Sequence, residues 1–376
     1  MTPNWQSLAV AGAVALLLGG VCAGAVVLGR EPVPPEPYEP TASVPAGVDY
    51  VGTLNLTAMR TDPAVRNGTR ASLAFQGRVR FYDGPPYLRA LALSPPENAT
   101  LDPDAASHVT YFGRGGEAYG ARLVVTNWTA AATVDALRAR RGVAFTAKTR
   151  RGFTIYRSDS GPAVAVLDSG AEGGPIPRAG PRLLAVGNGS AVADAVDVAI
   201  DRADPEAEPA TLGGELLRRY RDAPNGYVQF AYRFRPSTVP DYPFVGPAVR
   251  TVQYVGTGYA LNRTAASGNE AGATPDIRIR IRITAEDADS ADDVRNILAA
   301  GQSFYLFESS NRTLKTELRK VTFDVAGRTV VANYESSPRG LRVLVRGLFR
   351  NQPEPQSLAS PESGPATERR LRESPA

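Results

Sequence analysis

Apolar side chains fall into three patterns along this chain: one unbroken run, several alternating stretches, and a few stripes at helical spacing. The unbroken run is Leu8 to Leu28, 21 residues without a charged side chain. At about 1.5 Å per residue a helix of that length spans roughly 31 Å, the thickness of a bilayer core. The run predicts a transmembrane anchor over residues 1–30. The alternative is a cleaved signal peptide, for which Ala23-Gly24-Ala25 offers a small-x-small site. Signal peptides, however, have apolar regions of about 7–15 residues behind a basic start. No Lys or Arg precedes this run.

Beyond the anchor the periods alternate between strand and helix. Tyr50 to Leu56 reads as a strand and Asp62 to Phe75 as a helix with Pro63 in its first turn. Val109–Phe112 and Ala121–Thr126 flank Gly113, Gly115 and Gly116, which predicts a hairpin. Thr129–Arg141 has helical spacing, and strands are expected at Phe153–Tyr156, Val164–Leu167 and Leu183–Val186. Val192, Val196 and Ile200 form one stripe of a helix over Ser190–Ile200, and a short helix follows through Leu216–Tyr220.

The same order then returns. Tyr227–Phe234 reads as a strand, and Thr251–Leu261 with Ile277–Thr284 as a strand pair. Ala285–Leu298 follows as a helix, then a hairpin of Val321–Val325 and Thr329–Tyr334 around Ala326-Gly327, then a helix over Pro338–Phe349. The expected class is α+β with mostly antiparallel sheets, in two related units at 47–222 and 223–350. A single irregular α+β domain is the competing reading.

Composition sharpens the ends of this plan. Residues 31–46 hold six prolines and predict a stiff linker. Residues 351–376, rich in Pro, Ser, Glu and Arg, predict a disordered tail. Cys22 is the only cysteine and lies in the apolar run, so the rest of the chain has no disulfide and no thiol nucleophile. Val21 and Gly19 stand where a lipoprotein signal needs a small residue and a Leu, which argues against lipidation.

Seven of the 13 Asn open an Asn-x-Ser/Thr triplet: Asn55, Asn67, Asn98, Asn127, Asn188, Asn262 and Asn311. With 47 Ser plus Thr in 376 residues, chance gives roughly 1.6. The excess predicts glycan acceptors and so an extracytoplasmic location for the part after the anchor. Turns and helix caps are the competing explanation, most directly for Asn67, Asn98 and Asn188. Arg30, the one nearby basic residue, would by itself place that side in the cytoplasm. The sequon excess outweighs it, and the expected location is the cell membrane, single-pass, with the C-terminal part outside.

Leu183-Leu184-Ala185-Val186-Gly187, with Val192 to Asp197, GVDYVGTLNL and PAVAVLDSG, resembles uncharacterised exported, membrane-anchored proteins of halophilic archaea. Three Lys against 39 Arg fits a GC-rich genome of that kind, whereas the net charge of +4 departs from the usual acidity. The resemblance implies export and no particular activity.

The inventory of chemistry is thin. His108 is the single histidine and sits in the alternating segment Ser107–Tyr111, so it reads as a strand residue rather than a triad member. No set of Cys and His ligands suits zinc, no phosphate-cradling loop occurs, and neither metal nor cofactor is expected. Gly113-Arg114-Gly115-Gly116 lacks the helix of a dinucleotide loop. Glu286, Asp287, Asp289, Asp292 and Asp293 read as an acidic helix start before they read as a cation site.

The sharpest pattern is Ile277-Arg278-Ile279-Arg280-Ile281-Arg282-Ile283, which on a strand puts four Ile on one face and three Arg on the other. Arg278, Arg280 and Arg282 are the candidate polyanion-binding row, for an acidic glycan, a lipid headgroup or an acidic envelope protein. A solvated face is the plainer reading. Nucleic acid is not expected. The chain is thus read as a non-enzymatic, membrane-anchored surface protein that binds envelope components. A polyanion or small-ligand binding module and a carboxylate-dependent hydrolase are the alternatives.

Overall fold

A computed structural model describes residues 39–57, 101, 105–115, 117–159, 161–167, 181–223, 228–236, 245–262 and 276–349. The strands are β1 Tyr50–Asn55, β2 Ala106–Gly113, β3 Gly120–Thr126, β4 Thr146–Arg150, β5 Phe153–Arg157 and β6 Pro162–Val166. They continue with β7 Arg182–Asn188, β8 Val228–Arg233, β9 Val252–Asn262, β10 Asp276–Ala285, β11 Thr322–Ala326 and β12 Thr329–Ser336. The helices are α1 Ala130–Arg141, α2 Gly189–Ala203, α3 Gly214–Asp222, α4 Gly246–Arg250, α5 Ala288–Glu308, α6 Arg312–Leu318 and α7 Pro338–Phe349.

The protein is α+β, built on a large antiparallel sheet. All twelve strands join one sheet in the order β11-β12-β10-β9-β8-β1-β2-β3-β7-β6-β5-β4. Where two sheets were expected, β1 pairs with β8, from Tyr50↔Tyr232 to Leu54↔Val228, and makes the sheet continuous. Gly52 makes that pairing possible: a Cβ there would lie 2.8 Å from the Phe230 ring.

The sheet has two covered faces. On the front, Leu54, Val109, Val124, Leu184, Val228 and the four Ile of β10 share a core with Ala291, Val294 and Leu298 of α5, Leu314 and Leu318 of α6, and Leu341 and Leu344 of α7. On the back, Val51, Phe112, Leu123, Ala165 and Leu183 pack under α2 and α3. The β10 alternation therefore does what its period requires, with Ile inward and Arg on the back.

The expected elements are found with shifted ends and three additions. Ala285 closes β10, and α5 starts only after Asp287, whose carboxylate accepts from Ser290 N at 2.8 Å. The helix then continues ten residues past Leu298. The short β4, α4 and α6 were not anticipated. β4 is polar and exposed throughout, so no apolar alternation announces it.

The end of the Pro-rich stretch is folded rather than a spacer. Val44 is buried, Pro45 bridges Thr211, and Leu212 N donates to Val44 O at 2.8 Å. The anchor at 1–30, the helix at Asp62–Phe75 and the tail at 351–376 lie outside the described residues. None of the described helices is long and apolar enough to cross a membrane.

Candidate functional site

The back of the sheet divides at β9. Helix α3 lies over β1, β8 and β9. Gly256 permits that approach, since a Cβ there would sit 2.8 Å from Arg219 O. Beyond it the helices that touch β10 and β12, α5 and α7, do so from the front. The back of β10 therefore carries Arg278 and Arg280 beyond the helical layer, while Arg282, in register with Gly256, lies at its edge. They are spaced roughly 7 Å apart, two strand residues each.

On one side the row adjoins Ala260, Gly258 and Gly256 of β9, and on the other Glu335, Asn333 and Val331 of β12. Arg278 is exposed and its Nε donates to Glu335 at 3.1 Å. Arg280 Nε donates to Asn333 Oδ1 at 2.9 Å. The buried Nε of Arg282 has no hydrogen-bond partner among the described residues. The row is thus graded: one arginine is ion-paired, one bonded to a neutral amide, and one holds an unused donor.

Four polar clusters lie around these strands, none of them visible in the sequence. At one end of the strands Glu215, in the first turn of α3, accepts from Arg218, from Arg219 Nε at 2.9 Å and from Arg328 Nη2 at 3.2 Å. Burial raises the Glu215 pKa, but Arg219 and Arg218 outweigh it and hold the carboxyl below its usual range. Arg328 belongs to the β11–β12 turn, so the contact ties α3 to the far end of the sheet. At the same end Asp49 accepts from Gly115 N at 3.0 Å and pairs with Arg235.

Within the β1–β8 seam the hydroxyls of Thr53 and Tyr220 share a hydrogen bond, and burial pushes the Tyr220 phenol up to about 12. At the other end Glu317 is buried. Its Oε2 accepts from Tyr334 Oη at 2.8 Å and Ser336 Oγ at 2.7 Å, and its Oε1 accepts from Lys320 Nζ at 2.8 Å. Burial raises the Glu317 pKa, yet the Lys320, Ser336 and Tyr334 bonds prevail and lower it. Lys320 Nζ also reaches Ser336 Oγ at 2.8 Å. That hydroxyl is buried and already donates to Glu317, so the group works as a clamp among α6, β12 and α7 rather than as a nucleophile and base.

The remaining candidates fall at separate places. His108 pairs in register with Asn55, and its Nδ1 lies 3.2 Å from Ser107 Oγ. Gly113 and Gly115 belong to the β2–β3 hairpin turn. Asp287 caps α5, and among the described residues no three acidic, His or Cys side chains converge as metal ligands.

Of the sequons, Asn188 and Asn311 cap α2 and α6 through their Oδ1 atoms. That structural use was anticipated for Asn188 and not for Asn311. Asn127 is exposed after β3, Asn55 ends β1, and Asn262 ends β9. Asn67 and Asn98 lie outside the described residues.

No family model and no curated protein matches the chain. Among solved structures, crystal form I of TP0453 is similar at 10% identity and a TM-score of 0.42, covering 83% of this chain and 98% of that one. Crystal form III gives 10% identity and 0.41, covering 82% and 97%. Likeness of that degree carries no argument about activity.

Proposed function

We propose that the protein is a membrane-tethered, extracytoplasmic binding protein that performs no catalysis of its own and takes an anionic envelope component on the back of β10. The observation that carries this reading is the graded arginine row, above all the buried Nε of Arg282, without a partner among the described residues, two places along the row from the exposed Arg278. A buried guanidinium donor without an acceptor gains by meeting a carboxylate, sulfate or phosphate oxygen. The tether is Leu8–Leu28, supported by its length and lack of charge. The outside location is supported by the sequon excess.

The reading includes two related units meeting at the β1–β8 seam. Its support is element order: β1, β2, β3 and β7 run outward with α2 after β7, while β8, β9, β10 and β12 run outward with α7 after β12. In each unit a helix, α1 or α5, follows the third of those strands.

The test is titration of the full chain in detergent with a sulfated polysaccharide at two salt concentrations. The expected result is salt-sensitive binding, weakened roughly 10- to 100-fold by Arg278→Ala with Arg280→Ala and Arg282→Ala. Equal binding by the variant removes the row from the function.

A further inference from the structure

We infer that the corner formed by the end of α5 and by α6 rests on an anionic bilayer surface, with Phe307 in the lipid. The inference uses the proposed tether and adds which side of the fold faces the membrane.

Strand directions define two rims. Call upper the rim where β1 ends at Asn55 and β10 begins at Asp276, and lower the rim of the β2–β3 and β11–β12 turns. β10 descends to Ala285, and α5 then returns. The strand has ten residues, about 34 Å, and the helix 21, about 31 Å. The last turn of α5 therefore arrives at the upper rim, where β11 starts.

The first described residues also lie at the upper rim. Helix α2 starts where β7 ends, at the lower rim, and its last-turn Arg202 donates from Nη1 to Ala42 O at 2.9 Å. Helix α3 starts beside lower-rim Arg328, and its last-turn Arg221 pairs with Glu39 at 3.4 Å. Ten residues separate Leu28 from Glu39. Extended at about 3.1 Å each they reach about 31 Å. The first described residues and the α5–α6 corner thus share one rim, and a linker of that reach would hold the rim within about 31 Å of the proposed tether.

The corner has the composition of an interfacial contact. Phe307 is 85% exposed, whereas the other large apolar side chains among the described residues are nearly all covered. Phe304, Tyr305 and Leu306 beside it are half-buried. Helix α6 buries Leu314 and Leu318 and turns Arg312, Lys315 and Arg319 the other way, at the spacing of one helical face. An exposed aromatic at the end of α5 and a cationic face on α6 match an anionic headgroup layer over hydrocarbon. Alone such a contact is weak; the tether raises its effective concentration.

The experiment uses the full chain with Cys22→Ala, reconstituted into phosphatidylcholine vesicles with or without phosphatidylglycerol. A polarity-sensitive nitrobenzoxadiazole probe is placed at Phe307→Cys, and separately at Glu117→Cys on the lower-rim hairpin. The Phe307 probe is expected to shift to shorter wavelength and brighten several-fold in anionic vesicles, with the Glu117 probe unchanged. Arg312→Ala with Lys315→Ala and Arg319→Ala should remove most of the response. Aqueous emission from both probes, or equal responses, overturns the inference. Flotation reports the tether separately. If the chain does not float, the Phe307 probe is read with the same vesicles at millimolar lipid, where a shift keeps the corner and its absence removes it. Asn311, four residues beyond Phe307, uses its Oδ1 to cap α6 and is expected, unlike the other sequons, to carry no oligosaccharide; one found there on the native chain also overturns the inference.

Discussion

In the first half of the sheet β7 and β6 are buried on both faces, whereas in the second half β10 is buried on one. Leu183, Leu184 and Ala185 are consecutive and each 0% exposed. They face alternately α2 on the back and the front core. In β10 the alternation separates four buried Ile from three Arg. The two halves teach that helical cover, not sheet position, decides whether a strand reads as a run or as an alternation. The back helices reach no further than β9, and the polar back of β10 and β12 beyond them is where ligand-directed chemistry has room.

The largest effect comes from putting a charge on each kind of strand. Ala185→Asp in β7 should cost more than about 4 kcal/mol, because both faces are dry and no partner is near. Arg280→Asp in β10 should leave a folded protein with a modest loss. Urea denaturation followed by circular dichroism compares them, and equal losses would mean that the back of β10 is as closed as that of β7.

Much of this contrast was legible in the residues. The period of Ile277 to Ile283 gave strand, face and burial together, and the apolar run at Leu183–Val186 marked a strand, though not that both its faces are covered. The β2–β3 and β11–β12 hairpins were legible because glycines separate alternating segments. The β1–β8 seam was not, since pairing between strands about 175 residues apart leaves no local period. The polar clusters were hidden for the same reason: Glu215 meets Arg328, and Glu317 meets Ser336, only after the sheet is assembled. β4 was missed because an exposed edge strand needs no apolar residue. The pairing of Arg278 with Glu335 follows from register, which the sequence alone does not fix.

The next effect belongs to the clamp at the upper rim. Glu317→Ala should cost about 3 kcal/mol, since it strands the Tyr334 and Ser336 hydroxyls inside the front layer of the second half and unpairs the exposed Lys320. The pH dependence has a definite sign. The folded carboxyl titrates below its usual value, so the stabilisation is complete above the ordinary carboxylate range near about 4.3 and is lost as pH falls through the lowered value. Glu317→Gln should flatten the acid limb of the stability curve. An unchanged limb would assign acid unfolding to other groups.

A smaller effect probes how the covered half is fastened to the open one. Glu215 and Arg328 come from opposite sides of the β1–β8 seam, and a double-mutant cycle with Glu215→Gln and Arg328→Met should give a coupling of about 1 kcal/mol. The lowered Glu215 pKa makes this coupling fade as pH falls through it, while it persists at neutral pH. A coupling indistinguishable from zero would leave the two halves joined by strand pairing and by the packing of α3 on β8 and β9.

The smallest effect on stability is expected at Arg278, and that is its use. The Arg278–Glu335 pair is 44% and 38% exposed, in the range where solvent screening leaves ion pairs worth about 0–1 kcal/mol. Arg278→Ala should therefore shift the urea midpoint little, whereas it frees Glu335 to repel an incoming anion. Glu335→Gln should leave stability equally unmoved and strengthen anion binding, because it releases the guanidinium. Opposite changes in binding at constant stability would separate a ligand-facing row from a merely solvated one. If both variants bind like the unaltered chain, the open half of the sheet differs from the covered half in exposure alone.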